Sequence, residues 1–282
     1  MQNAMSIRAM APGEIALALD WAAAEGWNPG DEDAVCFAAV DPGGFLIGEV
    51  DARPAAIISC VNYDEGFAFL GFYIVRPELR GRGYGLAIWN AAIAHAGTRV
   101  IGLDGVVAQQ DNYRRSGFVH AYANVRYGGE PLRRERPARP GTVPLAEVPF
   151  ALVEASDATV FPAPRTAFLQ RWIDAPGHHG RALMRGDTLA AWGVMRPCRS
   201  GQKIGPLVAL DAAAAETVLV DLLAARVDGP VFLDVPAPNA DALALARSLG
   251  LAPVFETARM YTGAIRPVHP ERVFGVTTFE LG

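Results

Sequence analysis

Residues 75–85 read VRPELRGRGYG, and they stand between an apolar run at 67–74, FAFLGFYI, and a helix-forming run at 86–96, LAIWNAAIAHA. This order predicts a strand, a glycine-rich loop and a helix. The first turn of a helix leaves backbone N–H groups without partners and carries partial positive charge, so an anion there accepts several hydrogen bonds at once. The stretch therefore predicts a pyrophosphate site, with a tight glycine-rich turn as the alternative.

The residues of the loop suit a phosphate group. Gly81, Gly83 and Gly85 lack a Cβ atom, which lets a phosphate approach the backbone and permits positive φ. Arg80 and Arg82 add charge-assisted hydrogen-bond donors. No Gly-Lys-Ser/Thr follows, so this is not a Walker loop, and the glycine order differs from that of the dinucleotide-binding fingerprint. The alternative is a turn whose arginines are only solvated.

Two motifs carry a resemblance to a known family. Residues 75–85 resemble motif A of the GNAT family of acyl-CoA-dependent N-acyltransferases, in which strand, loop and helix hold the pyrophosphate of coenzyme A. Residues 113–118, YRRSGF, resemble the end of the family's motif B, where a helix closes on the pantetheine arm and delivers a tyrosine to the thioester sulfur. The resemblance is strong over about residues 5–128.

The resemblance implies a fold and a reaction. The fold is α/β, with a mixed sheet that is splayed where the acyl chain enters. The reaction is acetyl transfer from acetyl-CoA to an amine, by direct attack in a ternary complex. The residues implied to bind the coenzyme are Tyr73, Ile74, Val75, Arg80, Gly81, Arg82, Gly83, Tyr84, Gly85 and Leu86.

Acyl transfer from a thioester needs a neutral amine, a donor for the oxyanion and a proton for the departing thiolate. Tyr113 is the implied acid, and its alternative role is that of a core aromatic residue. Asp104, at the end of a strand that faces the junction, is a candidate base, although aspartates in this position often only cap the following turn. Backbone N–H groups at 73–75 are implied to hold pantetheine and to polarise the carbonyl.

Composition and charge exclude several classes of protein. With 282 residues, 51% of them hydrophobic and 20% charged, the chain is long enough for one large domain or two ordinary ones. Its formal net charge of −5 argues against a nucleic-acid partner. We find no signal peptide and no apolar stretch long enough to span a bilayer, so we predict no membrane partner and a cytoplasmic location.

The cysteines and histidines do not predict a metal site. Cys36, Cys60 and Cys198 are far apart and form no CxxC pair, so they indicate neither zinc nor a disulfide framework, and they fit a reducing compartment. Cys60 lies in an apolar run and is interpreted as a core residue, with a reactive thiol as the alternative. His178 and His179 either face the acceptor or are polar loop residues, because adjacent histidines lack the usual ligand spacing.

Alternating apolar patterns and turn signals predict the elements of the first half. The predicted strands are 6–10, 44–49, 55–62, 67–75, 99–103 and 118–127, and the predicted helices are 13–25, 31–38, 86–96 and 109–116. This is the order expected for the GNAT fold. The segment 129–148 is rich in proline and arginine, including the run at 133–136, and is interpreted as a solvated connector.

The second half repeats the first. A shift of 133 residues places Val75 on Val208 and Arg126 on Arg259. Self-similarity of this length predicts two copies of one fold. The predicted domains are therefore an acetyl-CoA-binding N-terminal domain at 1–128, the connector at 129–148 and a GNAT-like C-terminal domain at 149–282.

The second copy has diverged at the positions that carry the chemistry. The same shift puts Ala213, Glu216 and Val218 at the positions of Arg80, Gly83 and Gly85, and it puts Ala246 at the position of Tyr113. A carboxylate and added Cβ atoms would exclude a phosphate, and no acid is left. The chain thus resembles a tandem GNAT subfamily with a degenerate C-terminal repeat, and we predict one coenzyme per chain.

Two other functions remain open at this point. A non-catalytic acyl-CoA-binding sensor or scaffold would keep the phosphate loop but would not need Tyr113. A nucleotide-binding enzyme of another family would need a base-recognition or metal motif, which we do not find. The predicted acceptor is the amine of a small molecule or of a peptide end, and the sequence indicates no oligomeric state.

Overall fold

The computed structural model describes residues 4–132 and 141–282. The strands are β1 Ser6–Ala9, β2 Phe45–Val50, β3 Arg53–Asn62, β4 Phe67–Val75, β5 Val100–Val106, β6 Val119–Gly129, β7 Val143–Pro144, β8 His179–Arg185, β9 Thr188–Pro197, β10 Gln202–Ala209, β11 Val231–Pro236, β12 Ala252–Tyr261 and β13 Val273–Gly275. The helices are α1 Ile15–Ala24, α2 Asp33–Phe37, α3 Tyr84–Ala96, α4 Gln110–Arg115, α5 Phe150–Asp157, α6 Thr166–Asp174, α7 Ala212–Ala224 and α8 Ala240–Ser248.

The first half has the predicted elements in the predicted order. β4 has the predicted bounds, and α3 begins two residues before the predicted 86. The buried residues of α3 include Ile88, Trp89, Ala92 and Ala96, whose helical spacing puts them on one face against the sheet. Gly97, at φ +63°, ends the helix. The predicted α/β fold with a mixed sheet is confirmed.

The strands of both halves form one mixed sheet. Its order is β1-β2-β3-β4-β5-β12-β6-β11-β10-β9-β8-β7, with β13 paired to β10. β12, the last long strand of the second half, lies between β5 and β6 of the first half. In return, β6 lies between β11 and β12 of the second half. Each half therefore places one strand inside the other half of the sheet.

Two buried ion pairs join the exchanged strands. Arg259 of β12 holds Asp104 of β5 through two hydrogen bonds, of 2.8 and 2.6 Å. Arg126 of β6 holds Asp234 of β11 in the same way, at 2.6 and 2.8 Å. The two pairs are equivalent under the internal repeat. Each one fixes the exchanged strand of one half to the fifth strand of the other.

The halves also share a core on one face of the sheet. Phe37 of α2 stacks on Phe168 and Trp172 of α6, with ring centroids 6.4 Å apart in both cases. These rings belong to a buried cluster that also includes Leu19 of α1 and Val153 of α5. The domain boundaries at 128 and 149 stay a prediction, and a single sheet contains strands from both sides of these positions. The run at 133–136 lies outside the described residues.

The helices are too short for a lipid bilayer. Among residues 4–132 and 141–282, none of them is a long apolar segment that could span a membrane.

Candidate active site

The central cavity lies where β4 and β5 separate. The two strands pair in parallel from Phe67 and Val100 up to Leu70 and Leu103, and no further. Beyond that point β4 has a bulge at Phe72, whose φ is +48°. The free side of β4 at 71–75 faces a cavity of about 450 Å³. This volume is in the range of small-molecule sites.

The glycine loop stands at the mouth of this cavity and leads into α3. Gly83 is the N-cap of α3, with φ +80°, and no side chain caps the helix there. Gly81 also has positive φ, at +75°, and a Cβ atom at either glycine would meet nothing within 4 Å. Gly85 differs, because a Cβ atom there would lie 2.6 Å from the hydroxyl of Tyr73. The first two glycines leave open space beside uncapped N–H groups, and the third allows Tyr73 to pack.

The two loop arginines have different partners. Arg80 donates from Nε to the carbonyl oxygen of Val75 at 2.9 Å and forms an ion pair with Glu25 at 2.5 Å. Arg82 is exposed and makes no ion pair within the part of the chain that the structure describes. Arg82 is thus the loop cation that remains available to an anion.

The structure brings most of the predicted site residues to one place. The predicted residues that line the cavity are Tyr73, Ile74, Val75, Arg80, Gly81, Gly85, Asp104 and Tyr113. The others, Arg82, Gly83, Tyr84 and Leu86, belong to the same loop and first helical turn but do not line it.

Tyr113 lies on the floor of the cavity, in α4. Its ring stacks on Trp89 at 5.7 Å and is buried. Burial, with a smaller effect from Tyr73, raises the pKa of Tyr113 to about 12. The phenol is therefore protonated at neutral pH. Its hydroxyl group makes no hydrogen bond with any residue of 4–132 or 141–282.

Asp104 lines the cavity, but its carboxylate is occupied. Besides the two bonds from Arg259, its Oδ1 accepts a hydrogen bond from Asn124 at 2.7 Å. Removing one partner of such a buried ion pair costs about 3–5 kcal/mol, because the other charge is left alone. Asp234 has the same kind of partner in the second half. These contacts favour a role for Asp104 in holding β12.

The second half has no glycine loop. Residues 76–83 connect β4 to α3, whereas only Leu210 and Asp211 connect β10 to α7. Ala213, Glu216 and Val218 therefore lie inside α7, and the predicted correspondence with loop positions 80, 83 and 85 is wrong. The shift of 133 residues misaligns these positions because the second copy lacks most of the loop.

The start of α7 is also closed to an anion. Asp211 is its N-cap and accepts a hydrogen bond from the backbone N–H of Ala214 at 2.9 Å. Its carboxylate forms an ion pair with Arg185. A phosphate would have to displace a carboxylate that already satisfies the helix.

The other correspondence predicted for the second half holds. The backbone N–H of Phe118 donates to the carbonyl of Tyr113 at 3.1 Å, and that of Leu251 donates to the carbonyl of Ala246 at 3.4 Å. Ala246 therefore occupies the place of Tyr113. Helix α8 has 9 residues and α4 has 6, so the stretch from Asp234 to Ala246 is longer than the stretch from Asp104 to Tyr113.

The segment 273–282, which we call the crease segment, fills the gap that opens where β10 and β11 of the second half separate. Its first part, β13, pairs with β10, and Val276 donates from N to the carbonyl oxygen of Asp234 at 2.7 Å. It then passes to the first half, where a Cβ atom at Gly71 of β4 would collide with the carbonyl oxygen of Glu280. The crease segment thus closes the gap between β10 and β11 and borders the cavity between β4 and β5.

The sequence did not single out several residues of the cavity wall, including three aromatic residues and one acid. Trp27 follows α1, Phe255 lies in β12, and Phe279 and Glu280 belong to the crease segment. Three of them come from the second half. The sequence signal for Glu280 is that it is the one acid in the mostly apolar segment 273–282. This signal does not predict which cavity Glu280 lines.

The histidines and cysteines lie elsewhere. His178 donates a hydrogen bond from Nδ1 to the carbonyl oxygen of Trp172 at 2.7 Å, and its Nε2 atom is buried without a partner in the described residues. Burial lowers the pKa of His178 to about 4. Cys60 is buried, and burial raises its pKa to about 12. Within residues 4–132 and 141–282, no three His, Cys, Asp or Glu side chains are grouped to hold a metal ion.

Comparison with known families gives a match in each half. The model described as "Acetyltransferase (GNAT) family" matches residues 14–119, and the model described as "Acetyltransferase (GNAT) domain" matches residues 153–275. A holothin acyltransferase from Pseudoalteromonas sp. (strain SANK 73390) is 31% identical over 265 residues, which is 93% of this chain and 90% of that protein.

Solved structures share the fold across both halves. A candidate acetyltransferase from Pyrococcus horikoshii has a TM-score of 0.82 at 23% identity and covers 100% of this chain and 97% of its own. A tandem GNAT protein from the clavulanic acid biosynthesis pathway has a TM-score of 0.64 at 16% identity, with 93% of this chain and 99% of its own covered. At these identities the likeness concerns the fold.

Proposed function

Because this chain belongs to the GNAT family of N-acyltransferases, in its tandem form, we propose that its first repeat transfers an acetyl group from acetyl-CoA to the amine of a small molecule. The observation that carries the proposal is the cavity between β4 and β5, which joins an uncapped helix start to a buried phenol. In this proposal the pyrophosphate, the thioester and the amine would lie in that order from the helix start to the phenol.

The loop and the first turn of α3 are proposed to hold the pyrophosphate. Gly81 and Gly83 leave open space beside the helix start, and Arg82 supplies a cation that has no partner among the described residues. Arg80, Tyr84, Gly85 and Leu86 would shape this binding surface. The pantetheine arm would follow the free side of β4 along Tyr73, Ile74 and Val75, where strand-like backbone groups face the cavity.

The chemistry needs three events at the thioester. The amine nitrogen forms a bond to the carbonyl carbon, the oxyanion is stabilised by backbone donors of β4, and the C–S bond breaks. Tyr113 would give its proton to the departing thiolate. A phenol with a pKa of about 12 stays protonated until the thiolate forms, so it can act as an acid and not as a base.

A small acceptor is supported by the volume of the cavity. About 450 Å³ must hold the end of the pantetheine arm and the amine together. The holothin acyltransferase that resembles this chain over both halves bears an acceptor in its name, and we propose an acceptor of comparable class here. The cytoplasmic location is likewise proposed, supported by three free, buried cysteines.

Gly83→Glu tests the coenzyme site. The side chain would bring a carboxylate to the helix start, and we expect calorimetry to detect no acetyl-CoA binding, whereas the unmodified chain saturates at one coenzyme per chain. Gly186→Glu is the matched control, because Gly186 also has positive φ, at +60°, and open space around it. Unchanged affinity in a folded Gly83→Glu variant, or two equivalent sites per chain, would contradict the assignment.

A further inference from the structure

Three acidic residues line the cavity, and the carboxylates of two of them are already paired. Glu25 forms an ion pair with Arg80 at the mouth, and Asp104 is held by Arg259 and Asn124. Glu280, the third, makes neither a hydrogen bond nor an ion pair with any residue that the structure describes. A base must have a lone pair free to meet the amine, and on this ground Glu280 is the one that qualifies.

The crease segment holds Glu280 in place from both halves. The hydroxyl group of Tyr63, in the first half, donates to the carbonyl of Leu281 at 2.7 Å. Arg165, in the second half, donates to the carbonyl of Gly282 at 3.2 Å. Leu281 in turn donates from N to the hydroxyl of Thr278 at 2.9 Å. Glu280 therefore stands on a fixed backbone at the edge of the cavity.

Of the basic groups around Glu280, only Lys203 has no ion pair with another acid among the described residues. Arg126 is paired with Asp234, and Arg196 is paired with Asp33 at 3.0 Å. Lys203 of β10 is left, and its ammonium group donates to the Trp27 carbonyl at 3.2 Å. Lys203 does not form an ion pair with Glu280. The carboxylate is thus balanced in charge but open to a cationic ligand.

The rings beside Glu280 indicate what such a ligand carries. Phe72, Phe255, Phe279 and Trp27 line the same cavity. Aromatic walls favour a flat apolar body, and they also stabilise a cation that comes to rest against their faces. No further unpaired carboxylate lines the cavity to hold a second ammonium group of a polyamine. These features fit an aromatic compound with a single amine.

We propose that Glu280 is the catalytic residue that binds the acceptor as its ammonium ion and takes its proton, and that the acceptor is an aromatic monoamine. The proposal rests on the proposed function. The ammonium group gives one proton to the carboxylate and becomes a neutral amine. As the C–N bond forms and the C–S bond breaks, Tyr113 gives its proton to the departing thiolate, and its phenolate takes up the second proton of the nitrogen, so that the phenol is restored. Glu280 then releases its proton to solvent.

The electrostatics of the site agree with this role. Burial raises the pKa of the Glu280 carboxyl, against the lowering effects of Lys203 and Arg126, while Asp33 and Asp234 raise it further. These four groups, from β10, β6, α2 and β11, are the charges that face Glu280. A carboxyl with a raised pKa is a better proton acceptor.

The test uses the full chain with saturating acetyl-CoA and measures thiol release from neutral to alkaline pH. The probes are benzylamine, spermidine and a glycine-initiated peptide. We expect the unmodified protein to prefer benzylamine in kcat/KM. Glu280→Gln should lower kcat for benzylamine roughly 10²–10⁴-fold at neutral pH, with unchanged affinity for acetyl-CoA. The deficit should shrink as the pH approaches the pKa of the amine, which then arrives neutral.

Glu256→Gln is the matched control, since Glu256 is exposed on β12 and does not line the cavity. It should leave kcat unchanged. A Glu280→Gln deficit that is equal at every pH, or that includes lost acetyl-CoA affinity, would show a structural role and overturn the proposal. A preference for spermidine or the peptide would overturn the acceptor class.

Glu280→Asp covers the case in which the glutamine variant does not fold. A shortened base should keep the pH dependence of the unmodified protein at a lower kcat, and a changed pH dependence would count against the proposal. If the unmodified protein binds acetyl-CoA but acylates none of the probes nor any wider amine panel, the proposed function itself fails. Full activity of Glu280→Gln would refute only the role of Glu280.

Discussion

Replacing Tyr113 by phenylalanine should lower kcat while leaving the free energy of unfolding nearly unchanged. The hydroxyl group has no hydrogen-bond partner in the described residues, so its loss removes no internal bond. The ring keeps its stacking on Trp89 and its burial. We therefore expect the free energy of unfolding to change by less than about 0.5 kcal/mol, in the range of a substitution that disturbs no packing.

The effect on the reaction should be far larger. Loss of a positioned acid lowers kcat roughly 10²–10⁴-fold, which corresponds to about 3–5 kcal/mol of transition-state stabilisation. Because the phenol is held protonated, with a pKa of about 12, the unmodified enzyme should show no alkaline loss of kcat from this group near neutral pH. Steady-state thiol release, urea titration and acetyl-CoA calorimetry together measure the three quantities.

Tyr127→Phe is the control for this experiment. Tyr127 is a buried tyrosine of β6 that does not line the cavity, so the same atom is removed outside the site. It should leave kcat unchanged. Full kcat in Tyr113→Phe would refute the acid role of this tyrosine. A fall in kcat accompanied by an equal loss of stability or coenzyme affinity would also refute the reasoning.

Two further predictions concern stability. Asp104→Ala should lower the free energy of unfolding in urea by about 3–5 kcal/mol, because it leaves Arg259 buried without its partner. Asp234→Ala, which leaves Arg126 in the same state, should cost a similar amount, although Asp234 does not line the cavity. A stable but inactive Asp104→Ala variant would instead restore Asp104 as the base. In the folded chain the pKa of His178 is lowered from 6.5 to about 4, so the unfolded chain takes up this proton first as the pH falls. The free energy of unfolding should therefore fall by roughly 2–3 kcal/mol as the pH drops from 6.5 to about 4. Urea midpoints near both ends of the window measure this loss, and a His178→Gln variant that loses as much would contradict it.

The local parts of the site could be predicted from the sequence because their signals are local. The loop glycines, the helix that follows and the YRRSGF run each fix backbone geometry within a few residues. Gly117 and Gly250 end equivalent helices with positive φ, at +89° and +77°, which is why motif B aligned correctly. The predicted element order followed from the same turn signals.

The long-range parts could not be predicted, for a physical reason. Alternation of apolar and polar residues shows which face of a strand is buried, but it does not identify the neighbouring strand. The insertion of β12 between β5 and β6 therefore left no trace in the pattern. A uniform shift of 133 residues hid the missing loop, because a longer α8 partly compensated for the shorter connection at 210–211.

The exchange of strands explains why a half without a coenzyme site can still be needed for the reaction. Without β12, β5 and β6 would lose the strand that joins them, and Asp104 would lose Arg259. Without the crease segment, the cavity would lose Phe279 and Glu280. Changes at Phe255, Phe279 and Glu280 should therefore act on the proposed reaction of the first repeat, because these residues line its cavity. Residues of both halves line the cavity, so a cut between the repeats would divide the active site that we propose.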